Sequence, residues 1–147
     1  MNLIYDRTAE DVLTAQKQRG KVLTPLKGCY NAVDLNRVAA AVTEIAAELN
    51  SAGYAVTVNP RTYAESDIIR RSDFAAYLAN VQTLRDAIAV RASTPELPAA
   101  DAKLDHVGAN NIEKILADLD ELIDWMTYSQ KYCGTFAAGQ TILPRKG

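Results

Sequence analysis

One histidine, two cysteines and one tryptophan occur among the 147 residues, and that scarcity closes several routes to chemistry. A nucleophilic triad needs a base beside its nucleophile. His106 is the single histidine, no GxSxG turn accompanies any serine, and His106 reads as a surface or cap residue. One histidine and two distant cysteines, Cys29 and Cys133, do not make a zinc pattern. Those cysteines stand in no CxxC pair and read as free, mostly buried thiols, with nothing in their spacing to support a disulfide. EF-hand spacing is absent, and Gly134 and Gly139 lack the flanking strand and helix of a phosphate loop. The residues therefore assign no catalytic, cofactor-binding or metal-ligating position.

Basic charge is short as well. The formal net charge is −2, and the longest basic clusters are the pairs Arg70-Arg71 and Arg145-Lys146. A nucleic-acid binder shows a basic surplus or stripe, so no nucleic-acid partner is expected. No apolar run approaches the roughly 18 residues that span a bilayer, and the opening MNLIYDRTAED lacks the apolar core of a signal peptide. The expectation is synthesis in the cytoplasm with no membrane partner. Hydrophobic residues make up 48% and charged residues 23%, too apolar and too near neutral for disorder. One globular domain with a sizeable core follows.

What the chain does hold is helix-period patterning. Thr8 with Asp11 three residues on reads as a partial capping box opening a short first helix that breaks at Gly20. The run Leu26–Val42, LKGCYNAVDLNRVAAAV, combines a glycine turn at Gly28, an aromatic at Tyr30, a cap at Asn31 with Asp34, and the start of a long helix. Its polar residues, Asn31, Asp34, Asn36 and Arg37, suit fixing how the chain approaches the helix rather than a reaction centre. Leu35, Val38, Val42, Ile45 and Leu49 form a heptad-like seam, ended by Asn50, Ser51 and Gly53. Tyr54–Asn59 alternates and reads as a short extended strand that needs a partner strand or a helix surface.

A third helix is predicted from near Ser72, fading by Ser93, with Phe74, Tyr77, Leu78, Val81, Leu84 and Ile88 on one face. The two-proline stretch after Ser93 reads as a loop or linker. A fourth helix is predicted from Asn110 or Asn111, with Asn110 capping and Glu113 completing a box. Asp118, Asp120, Glu121 and Asp124 read as its solvated acidic face. The fold class is mainly α: a small bundle of three long helices plus a short N-terminal helix, with minor extended segments. Residues 1–130 form the helical domain and 131–147 an extended C-terminal arm.

The distal aromatics carry the candidate interface: Trp125, Tyr128, Tyr132 and Phe136, joined by Ile142 and Leu143 of the arm. Aromatics are favoured at interfaces. They serve equally well to pack the arm onto the helices, and composition does not separate the two readings.

Five stretches occur in an order that resembles a helical module of tail-associated and other virion proteins of bacteriophages and prophages. They are Asp6-Arg7-Thr8 with Asp11-Val12; Lys27–Val38; Asn80-Val81; Ala109–Leu116, ANNIEKIL; and the paired Cys133-Gly134-Thr135 and Ala138-Gly139-Gln140. Three features depart from that pattern. The segment Gly20–Leu26 is short, Cys29 replaces a commoner alanine, and Thr135 and Gln140 replace two glutamates. The resemblance implies a non-enzymatic virion structural protein, tail or head–tail associated, acting in assembly as an adaptor or fibre-associated module. It implies other virion proteins and further copies of the chain as partners, and no cofactor. A small receptor- or carbohydrate-binding module of the virion is the alternative.

Overall fold

The computed structural model describes residues 1–21 and 26–133, with side chains as far as Gln130. Four helices follow one another: α1 (Ala9–Lys17), α2 (Ala32–Ser51), α3 (Arg71–Ala87) and α4 (His106–Cys133). The expected class, mainly α with three long helices and one short one, is the observed one. α2, α3 and α4 pack pairwise around one core. The α2 seam supplies Val38, Val42, Ile45 and Leu49, α3 supplies Val81 and Leu84, and α4 supplies Ile112, Ile115, Leu116 and Leu119. Each large side chain so buried contributes about 1.5–3 kcal/mol by leaving water. Phe74 and Tyr77 join this core on α3, their rings stacked with centroids 5.6 Å apart.

α1 stands outside the bundle and buries only Ala15. Both sides of its predicted capping box are made: the Asp11 N–H donates to Thr8 Oγ1, and the Thr8 N–H donates to Asp11 Oδ2. The same device opens α2, where Asn31 Oδ1 accepts from the Val33 N–H and Asp34 Oδ2 accepts from the Asn31 N–H. Gly28 matters through contact. A Cβ there would lie 2.0 Å from the Asp11 carbonyl oxygen, so only glycine lets this turn touch α1.

Three expectations about the elements and their bounds need correction. Tyr54–Asn59 is extended but is no strand, and no strand occurs among the described residues. Helix side chains hold the backbone of two of its residues, Val56 and Asn59. Asn50 accepts from the Val56 N–H at 2.9 Å and donates to the Val56 carbonyl at 2.9 Å; Asn80 does the same for Asn59 at 3.0 and 3.1 Å. The amide side chain presents one donor and one acceptor, as a neighbouring peptide would. Asn36 clips Tyr63 in the same way, at 2.7 and 2.8 Å.

α4, secondly, begins at His106, four residues before the expected cap. Asp105 precedes it instead, its Oδ1 accepting from the Gly108 N–H at 2.7 Å. Asn110 thus falls inside the helix and makes a fourth clip, on Arg7, at 2.9 and 2.8 Å. Thirdly, α4 continues through Cys133, so residues 131–133 of the expected arm are helical. The rest of that arm lies outside the described residues.

The stretch after Ser93 is a loop, as expected, and it is firmly packed. Thr94 is buried and donates to Asp118 Oδ2 at 2.8 Å, while Lys114 donates to Asp118 Oδ1 at 2.6 Å. Asp118 is therefore no part of a solvated face. It anchors the α3–α4 connection.

Candidate functional site

Two places concentrate side chains that composition alone leaves unexplained. The first is a buried charge cluster where the N-terminal segment crosses α2 and α4. Arg7 enters it from the non-helical residues ahead of α1. Its Nη1 donates to Glu113 Oε2 at 2.7 Å and to the Ile4 carbonyl at 2.6 Å. Its Nη2 donates to Asp34 Oδ1 at 2.9 Å, and its Nε to the Lys27 carbonyl at 3.1 Å. Arg37 closes the cluster from α2, with Nε on Glu113 Oε1 at 2.6 Å and Nη2 on Asp34 Oδ1 at 2.6 Å. Two arginines thus meet two carboxylates, and the cluster is formally neutral.

Burial works against the charge on Arg37, and its hydrogen bonds to Glu113 and Asp34 outweigh that, holding its pKa above the ordinary arginine value. Arg7 also lies over the Tyr30 ring, 5.4 Å from the centroid, and the Tyr30 and Tyr77 hydroxyls hydrogen-bond to each other. Burial pushes both phenols well above their usual range. Among the described residues, no buried side-chain nitrogen or oxygen lacks a hydrogen-bond partner. The donors and acceptors of the cluster are spent on one another and on backbone, and what such an arrangement does is fix geometry.

Arg7, Tyr30, Asp34, Arg37, Asn110 and Glu113 come from three separate stretches, Asp6–Val12, Lys27–Val38 and Ala109–Leu116. Asn31, Asp34, Asn36 and Arg37 act on chain geometry, as expected of them. The role of Glu113 differs from the expected cap box, because it is fully buried and ion-paired. One sequence signal points that way: Ala109, Leu116 and Ala117 stand four before and three and four after Glu113, on its own face of the helix.

The second place is the distal end of α4. Burial stops at Ile123, and beyond it Trp125 is 60% and Tyr128 59% exposed. With Tyr132 they fall at helical spacings of three and four, hence along one side of the helix. The Tyr132 backbone is helical, and Phe136, Ile142 and Leu143 lie outside the described residues. Trp125, Tyr128 and Asp124 line a shallow hollow of about 310 Å³. Glu121, one turn earlier, has its carboxyl held below the usual range, first by Arg91, which donates to it at 2.7 Å, and further by the Trp125 indole. Structure thus brings Trp125 and Tyr128 together on an exposed surface.

The remaining candidates resolve more simply. His106 is half-buried in the first turn of α4 and lines a hollow of about 370 Å³ with Lys103 and Cys29. Cys29 is exposed, against the expectation of a mostly buried thiol. Among the described residues no group of three or more histidine, cysteine or acidic side chains is placed to hold a metal ion. Nor is any described helix long and apolar enough to cross a membrane.

Comparison with known proteins adds no assignment: no family model, no curated protein and no solved structure matches this chain.

Proposed function

We propose that this chain is a non-enzymatic structural module of a bacteriophage virion, associated with the tail or the head–tail junction, where it acts in assembly as an adaptor or fibre-associated piece. The observation that carries the reading is the division of labour in the fold. The residues of the resembling stretches converge on one buried cluster and its backbone clips, which stiffen the module. The exposed aromatic side of α4 is left for contact with other virion proteins and with further copies of the chain.

Mass spectrometry of purified particles tests this reading. The chain is expected in the particle at a fixed copy ratio to the other structural proteins, and its absence from intact particles would overturn the proposal. Within the particle, the single tryptophan reports on the interface. Trp125 is expected to be shielded from an aqueous quencher in assembled particles and accessible in the isolated chain.

A second reading has one specific observation in its favour. An exposed tryptophan and tyrosine beside a carboxylate, as at Trp125, Tyr128 and Asp124, are the side chains a sugar-stacking platform uses. Selective binding on a glycan array that disappears in Trp125→Ala would favour a carbohydrate- or receptor-binding module over the adaptor.

A further inference from the structure

A groove of about 520 Å³ runs between the C-terminal end of α2 and the projecting end of α4. Ala47, Ala52 and Ile123 give it apolar surface, and Glu48 and Asp124 line it with carboxylates. Glu44 and Asp120 add two more acids nearby. The Glu48 carboxyl is pushed up by burial and then by Asp120, Glu44 and Asp124, so these groups face one another across the α2–α4 seam. Asp120 is raised in the same way, by burial and then by Asp124 and Glu44. α2 carries no basic residue in its last turn, so the carbonyl end of its dipole adds to the negative potential. An apolar trough with this charge fits an extended segment that is apolar first and cationic next.

One such segment is Thr141-Ile142-Leu143-Pro144-Arg145-Lys146; Ile68-Ile69-Arg70-Arg71 has the same order, but its Arg71 is already the first residue of α3. Proline biases it toward extended backbone. α4 ends at Cys133, three residues past Gln130, which lines the same groove. At ~3.3 Å per residue, residues 134–146 reach about 43 Å, against roughly 14 Å of helix from Asp124 to Cys133. A segment tethered so close meets the groove at an effective concentration on the order of millimolar, ahead of any free competitor.

We infer that this groove is the docking site of the chain's own segment 141–146, which folds back along α4 to set Ile142 and Leu143 on the apolar surface and Arg145 and Lys146 against Glu48 and Asp124. The inference does not depend on where the protein acts.

Carbodiimide cross-linking of the full chain, read by mass spectrometry, tests it, because that reagent joins an ammonium to a carboxylate only in close contact. The expected product is an intrachain link from Lys146 to Glu48 or Asp124 in the monomer band. It should fall at least several-fold in high salt and in Glu48→Gln/Asp124→Asn. Hydrogen exchange gives a second readout: Arg145→Glu/Lys146→Glu should raise uptake several-fold across residues 44–52 while leaving helical circular dichroism unchanged. Three results would each overturn the inference: Lys146 links spread over unrelated acids, links confined to a dimer band (a second copy then being the occupant), or unchanged exchange at 44–52.

Discussion

Arg7 and Glu113 lie 106 positions apart in the chain and 2.7 Å apart in the fold. Their contact ties the non-helical N-terminal segment to the longest helix, and Asp34 and Arg37 brace it from α2. Removing one member of a buried pair leaves an uncompensated charge at a cost of about 3–5 kcal/mol. Arg7→Met should therefore lose about that much stability in urea unfolding. Arg7→Lys should recover little of it, since an ammonium cannot serve Asp34, Glu113 and two carbonyls from one planar fork. A lysine variant of near wild-type stability would contradict this account.

The asparagine clips are expected to differ in worth according to burial. Tyr63 is buried and Asn59 exposed. Asn36→Ala should cost about 1–3 kcal/mol by leaving the Tyr63 N–H and carbonyl short of partners, and Asn80→Ala about 0.5–1 kcal/mol. Asn36→Asp keeps the acceptor, loses the donor, and should fall between Asn36→Ala and the parent chain. Thermal unfolding of the set gives the order.

Two glycines separate close contact from backbone angle. Gly28→Ala places a methyl 2.0 Å from the Asp11 carbonyl oxygen. It should cost about 1–3 kcal/mol and raise hydrogen exchange across α1. Gly53 has φ +96°, and the space where its Cβ would stand is open, with no atom within 4 Å. Gly53→Ala should cost about 1 kcal/mol from backbone strain alone and leave α1 exchange unchanged.

The paired phenols predict a sensitivity to alkali. Burial raises Tyr30 and Tyr77 above their ordinary value of 10.0, so the folded chain keeps protons that the unfolded chain gives up. Below about pH 10 the pair adds no pH dependence. Above it stability falls, by up to ~1.4 kcal/mol per pH unit for each phenol. Urea unfolding from pH 9 to 11 should show this slope, and Tyr30→Phe/Tyr77→Phe should flatten it.

Local chemistry is readable in the chain. Thr8 with Asp11 and Asn31 with Asp34 are capping boxes because a side chain meets backbone three residues away, and spacing alone expresses that. The α2 seam is readable for the same reason. Asn110 misleads because an asparagine ahead of an apolar run suits a cap as well as it suits the clip on Arg7, and only the tertiary position of Arg7 decides. Asp118 misleads likewise, since its partner Thr94 comes from a loop 24 residues earlier. Tyr54–Asn59 has the alternation of a strand, but its ladder is made of asparagine side chains on helices. Trp125 is legible as an aromatic without a place in the core stripe, and its 60% exposure agrees with that position.

The clips grip main chain, and that changes what the connecting segments must preserve. Asn36, Asn50 and Asn80 hold the carbonyls and N–H groups of Tyr63, Val56 and Asn59 without reading their side chains. Sequence identity between residues 54 and 63 is therefore free to drift wherever the core does not use it, whereas segment length is not. One residue added between Val56 and Tyr63 would put every later peptide out of phase with its asparagine. Relatives of this chain should vary in the letters of that stretch and keep their number.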